Sequence, residues 1–162
     1  MDTFTRALQF TLSHEGGESN DSNDRGGHTK FGISQTSYPH IDITHLTIEQ
    51  ATEIYRKDFW HRCRCDDMPP LIARAAFDAA VNMGCTRSIK ILQTAIGATP
   101  DGVIGPDTLR RIGTMGDDKS HARDMLTARA RAYTSMADFP RYGVGWMARV
   151  IALAFDLHDE DV

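Results

Sequence analysis

One run limits the fold more than any other part of the chain, the segment between Pro69-Pro70 and Gly84. Proline suits the first turn of a helix, where its missing amide hydrogen has no partner to lose. Ile72, Ala75, Ala76, Ala79, Ala80 and Met83 then recur at helical spacing until Gly84 stops the run. A helix face made mostly of alanine lets neighbouring backbones come close. This helix should therefore sit at the centre of a packed helical body.

Other segments supply its neighbours. Phe4, Ala7, Leu8 and Leu12 form a first helical stripe with Asp2 or Thr3 as N-cap and Gly16-Gly17 as its end. Thr47-x-x-Gln50 is a capping box that opens a helix turning Ile48, Ala51, Tyr55 and Phe59 inward. Further helices are expected over 86–96, with Gly97 as stop, and from Pro106 as a first helical residue. A longer one over 120–136 carries Met125, Leu126, Tyr133 and Met136, and a last one aligns Trp146, Val150, Leu153 and Leu157. Between Glu18 and Ser34 the chain turns to Asn, Asp, Ser and Gly, with short extended candidates over 28–33. That is turn chemistry, and it predicts a small hairpin region after the first helix. The expected class is mainly α, within α+β. The 162 residues suit one compact domain, with no linker or repeat to divide them.

Charge and composition exclude several functions. A formal net charge of −4 with dispersed arginines does not suit a nucleic-acid binder or an anionic-membrane binder. Asp156, Asp159, Glu160 and Asp161 read as a solvated acidic end. No apolar run of about 18 residues is present, so no membrane insertion is expected. The first residues lack a basic stretch followed by an apolar core, so synthesis in the cytoplasm without a signal peptide is expected. Cys63, Cys65 and Cys85 are odd in number and without framework spacing, which favours reduced thiols. His61-x-Cys63-x-Cys65 lacks the bite of a zinc site, and the Asp21 to Gly26 stretch has Arg25 at a calcium-ligand position. No metal and no cofactor are expected. No G-x-S-x-G elbow is present.

Glu15 is the carboxylate in the most suggestive place. It ends the first helix, where the negative pole of the dipole disfavours an ionised side chain, and it precedes a glycine pair. A glutamate kept protonated in this way can act as a general acid. Around it stand Glu15-Gly16-Gly17, Asn20-Asp21, and Asp24-x-Gly26-Gly27-x-Thr29-Lys30-Phe31-Gly32-Ile33. This run resembles the N-terminal hallmark of the glycoside hydrolase family 108 muramidases, found as phage endolysins and in some bacterial secretion systems. The likeness continues through Tyr55, Phe59-Trp60, the segment from Phe77 to Gly84, and Leu92-Gln93. It then follows 101–109 and the stretch from Gly145 to Arg149, and so covers essentially the whole chain.

The resemblance implies a lysozyme-like fold and hydrolysis of the β-1,4 bond between N-acetylmuramic acid and N-acetylglucosamine in bacterial peptidoglycan. Glu15, Asp24 and Thr29 also match the spacing of phage lysozymes with a Glu/Asp/Thr site. By that likeness Glu15 protonates the glycosidic oxygen, while Asp24 and Thr29 position the attacking water. Asp21 is the alternative second carboxylate. His28 departs from the residues usual at its place and, on the cleft side, would touch substrate. Phe31, Gln35, Tyr38 and Asn82 are further candidates for substrate binding. The stretch 101–109 resembles helical peptidoglycan-binding modules, which gives a catalytic segment over 1–85 and a binding-like segment over 86–162 packed on it. A monomer is expected, released through a holin lesion in a phage context. Two other classes stay open at this stage, a zinc-dependent amidase of the peptide stem and a non-catalytic wall-binding protein.

Overall fold

A computed structural model describes residues 1–15, 28–114 and 118–159. Among these, the order is helix α1 (Thr3–His14), strands β1 (Thr29–Lys30) and β2 (Ile33–Ser34), α2 (Ile48–Tyr55), α3 (Pro70–Met83), α4 (Cys85–Ala95), α5 (Pro106–Gly113), α6 (Asp118–Thr134) and α7 (Phe139–His158). The mainly helical, lysozyme-like expectation holds, with a single small antiparallel pair as its β part among the described residues.

The central helix is α3. From Leu71 to Ala80 every residue is buried, and α1, α4 and α6 all pack on it. Its start needs outside help, because Pro69 has no side chain able to cap. Asp118, at the start of α6, fills the role: its carboxylate accepts from Leu71 N at 3.0 Å and Ile72 N at 3.2 Å. A carboxylate facing the positive pole of a helix is favourable twice over, by hydrogen bond and by dipole. Gly84 ends α3 with φ at +88°, a backbone conformation open to glycine.

The caps of α1 and α2 follow the sequence. Asp2 accepts from Thr5 N at 2.7 Å, and Thr47 and Gln50 form the reciprocal capping box. Ile48 corrects an expectation. It stands at the first position of α2 and is 39% exposed, so Ala51 and Tyr55 carry the inward face instead. Beyond α2 the chain loosens into a π-helical turn, Arg56–His61, which swings Trp60 inward. Its indole meets Phe4 at 5.3 Å and Phe77 at 5.7 Å, edge to face, and binds α1, α2 and α3 into one aromatic cluster. The predicted helices over 86–96 and 120–136 are shifted by one or two residues, an ordinary discrepancy at frayed ends.

Gln93 organises the turn before α5. Its amide donates to Asp101 Oδ1 and Val103 O, and its oxygen accepts from Gly102 N at 2.8 Å. The Asp101-Gly102 turn is thus tied to a buried side chain of α4, in one continuous core with the rest.

Candidate active site

Glu15 caps the C-terminus of α1 in an extended conformation, with its amide still bonded to Thr11 O at 2.9 Å. The side chain therefore leaves the helix axis and turns towards α7. There Arg149 Nη1 donates to Glu15 Oε1 at 2.7 Å. Arg149 is itself held from behind. Its Nη2 reaches Asp78 Oδ1 at 2.7 Å, and its Nε lies 3.0 Å from the same oxygen. Asp78 sits in the middle of α3 and receives a second guanidinium, Arg129 of α6, at 2.6 Å. Arg129 continues the chain through Nε to the Tyr133 hydroxyl at 2.9 Å, and that hydroxyl donates to Asn82 Oδ1. Four helices thus contribute to one polar line, Glu15–Arg149–Asp78–Arg129–Tyr133–Asn82.

The electrostatics vary along this line. Burial works against a charge on Asp78, but Arg129 and Arg149 outweigh it and hold the carboxyl below the ordinary carboxylate range. Burial pulls Arg149 down while Asp78 and Glu15 push it up, and the result is a more firmly charged guanidinium. Burial raises the Tyr133 phenol, which stays protonated and can donate to Asn82. The side chains of Arg129 and Asp78 are 1% and 2% exposed, that of Glu15 24%. Of this charged set, only Glu15 keeps a substantial open face.

The hairpin closes on Glu15 from the other side. β1 and β2 pair Thr29 with Ser34 and Lys30 with Ile33, leaving Phe31-Gly32 as a two-residue turn. Phe31 and Gly32 have φ of +52° and +75°, the primed geometry that follows the strands' own twist. A Cβ on Gly32 would lie 2.4 Å from the Tyr55 hydroxyl and 3.0 Å from Glu15 Cγ. Glycine here is what lets the turn touch the glutamate. Tyr55 fixes the turn by donating to Phe31 O at 2.9 Å. Burial, and then the charge of Glu15, raise its phenol well above the ordinary value.

The other sequence candidates fall in different places. Thr29 and His28 stand at the start of the hairpin, both partly exposed, and His28 O accepts from Gln35 N at 2.8 Å. Phe31 is partly buried against the core. The Gln35 side chain donates to Tyr38 O and Ile41 O, and so braces its own loop. Tyr38 donates to Asp58 Oδ2 at 3.0 Å. Asn82 ends the polar line described above. Asp21 and Asp24, the two candidates for second carboxylate, lie outside the described residues.

Arg149, Asp78 and Arg129 are functional candidates that sequence reasoning passed over. Two of them are charges inside apolar helical runs, Asp78 among the alanines of α3 and Arg149 between Trp146 and Val150, while Arg129 alternates with alanines in the polar α6 and carries no such mark. A buried charge of this kind must find a partner, and that anomaly was the available signal.

Comparison with known proteins adds three findings. The family model described as Glycosyl hydrolase 108 matches residues 8–84, which include Glu15, the hairpin and all of α3. No curated protein matches the chain. Among solved structures, SagA of Brucella abortus is similar at 30% identity with a TM-score of 0.86, over 97% of this chain and 94% of that one.

Proposed function

The chain belongs to the glycosyl hydrolase 108 family, and from that premise we propose that it is a muramidase with Glu15 as its general acid. Membership makes it a glycoside hydrolase acting on peptidoglycan. The finer reading is that Glu15 protonates the oxygen of the β-1,4 bond between N-acetylmuramic acid and N-acetylglucosamine. One observation carries it: Glu15 is the partly open end of an otherwise buried charge cluster, with a glycine turn fitted against its side chain.

A proton donor has to be oriented before it can act. Arg149 meets that need, and its own double hold on Asp78 keeps it in place when Glu15 turns to the substrate. As Glu15 releases its proton to the leaving oxygen, the new carboxylate forms beside a fixed guanidinium. That contact strengthens as charge develops, which is the condition for stabilising a transition state rather than a ground state. A second carboxylate, Asp24 or Asp21, acts on the opposite face of the sugar, and Thr29 helps hold the water. The biological setting proposed is wall degradation after synthesis in the cytoplasm, with release through a holin lesion in a phage or by a dedicated secretion route.

The test is mass spectrometry of purified peptidoglycan digested by the wild type and by Glu15→Gln, Asp24→Asn and Asp21→Asn. New reducing muramic acid ends from the wild type, lost in Glu15→Gln and in one aspartate variant, are the expected result. Free stem peptides in a chelator-sensitive digest would show an amidase instead. Binding to the wall without cleavage would show a non-catalytic protein.

A further inference from the structure

A cavity of about 630 Å³ opens where the C-terminal ends of α3 and α6 meet the start of α7. Asn82, Arg87, Tyr133, Ser135, Asp138 and Trp146 line it. It adjoins the acid site through two helices at once. Asn82 lies one turn beyond Asp78 on α3, and Trp146 lies one turn before Arg149 on α7. A helical turn advances about 5.4 Å, so the cavity lies one turn along each helix from the two residues, Asp78 and Arg149, that hold the acid site.

The lining has an unusual division. One wall is aromatic: Trp146 stacks on Tyr133 with centroids 4.9 Å apart and planes 25° from parallel. The rim carries two opposite charges, Arg87 in the first turn of α4 and Asp138 at the N-cap of α7. Asp138 makes no side-chain capping bond, and neither it nor Arg87 forms an ion pair among the described residues. Tyr133 uses its hydroxyl on Asn82 Oδ1, which turns the amide's donor end into the remaining hydrogen-bonding group of Asn82. Neutral sugars call for an aromatic face and hydroxyl partners. A guanidinium and a carboxylate lining one cavity, unpaired with each other, call for a ligand bearing both signs.

Resting on the muramidase reading, we propose that this cavity receives the peptide stem attached to the muramic acid, a chain with carboxylates and, at its diamino residue, an ammonium group. Arg87 takes a stem carboxylate, Asp138 the ammonium group, and the Trp146 ring, backed by the buried Tyr133, the aliphatic part between them. The enzyme thereby prefers glycan that still carries its stems.

The experiment compares two substrates, intact sacculi and glycan strands stripped of stems by an amidase, with kcat/KM read from reducing ends. Arg87→Glu and Asp138→Lys are surface changes that leave the core untouched. Each is expected to lower the ratio of kcat/KM on intact over stripped substrate about tenfold, chiefly through KM. The double variant, with the charges exchanged, should lower it no further than either single change. A ratio equal to the wild type's in both variants overturns the proposal. So does an equal loss on the two substrates, which would make the cavity a sugar site or a support of the fold. Failure of the muramidase reading itself is separately visible, because the wild type would then release no reducing muramic ends from either substrate.

Discussion

Glu15 and Asp78 are two carboxylates gripped by one arginine, yet they occupy opposite kinds of surroundings. Asp78 accepts from Arg149 on one side and Arg129 on the other, with Thr11 Oγ1 at 3.5 Å, and has essentially no exposed surface. Among the described residues Glu15 has a single guanidinium contact, at 2.7 Å, and its side chain is open for about a quarter. A carboxylate held on all sides can only stay charged and stay put. One held at a single oxygen can rotate, exchange partners and transfer a proton. The difference suits the proposed division, structure for the first and chemistry for the second, and it can be tested by separating the two consequences.

The largest effect should come from Glu15→Gln. Loss of a general acid typically lowers rate by about 10² to 10⁴-fold, and turnover of peptidoglycan should fall by that order. Glutamine keeps an oxygen for Arg149, so unfolding free energy should change by less than about 1 kcal/mol. Denaturant titration beside the activity assay checks both halves. A variant that is inactive because it unfolds would break the comparison.

Asp78→Ala should do the reverse in kind. It leaves two buried guanidiniums without their shared anion, and breaking a buried ion pair costs about 3–5 kcal/mol. For a chain of this length that corresponds to roughly 10 °C in Tm. The same residue sets an acid limit. Because the folded Asp78 carboxyl lies below its unfolded value, its contribution is complete above about pH 4. It is lost as pH falls through the folded value. Wild-type stability should thus drop steeply on acidification below pH 4, and a folded Asp78→Asn variant should show a shallower limb in the same titration.

Why Glu15 was legible in the sequence and Asp78 was not follows from the same contrast. The helix ahead of Glu15 and its cap at Asp2 are local matters, settled within a few residues and readable from residue types, whereas the extended stretch expected over 28–33 is broken by a turn at Phe31-Gly32. The capping box at Thr47 and the run from Pro70 to Gly84 were readable for the same reason. The partner of Asp78 stands 71 residues away on α7, and no local pattern encodes that pairing. The π-helical turn at Arg56–His61 was hidden likewise, since it exists to seat Trp60 between Phe4 and Phe77. Ile48 was misread because helical periodicity alone does not say that a first-turn residue lies beyond the edge of the core.

The hairpin's claim to be part of the site rests on Gly32, and Gly32→Ala tests it. The new methyl would sit 2.4 Å from the Tyr55 hydroxyl and 3.0 Å from Glu15 Cγ, on backbone at φ +75°. Strain and overpacking of this kind cost about 1–3 kcal/mol. Activity should fall further than that loss of folded protein accounts for, because the glutamate is one of the groups that must give way. Equal losses in stability and activity would make the turn a scaffold only.

The smallest expected effect is also the most discriminating. Tyr55→Phe removes one hydrogen bond, from the phenol to Phe31 O at 2.9 Å, worth about 1 kcal/mol. Alone it should destabilise slightly and loosen the turn over Glu15. In the Gly32→Ala background the sign should reverse, because the hydroxyl it removes is the atom closest to the added methyl. Measured as a double-mutant cycle, the coupling should lie between about 0.5 and 3 kcal/mol and favour the pair over the sum of its parts. If the two changes were simply additive, the turn would not be wedged between Tyr55 and Glu15, and the mobility assigned to the glutamate would lose the wall that limits it.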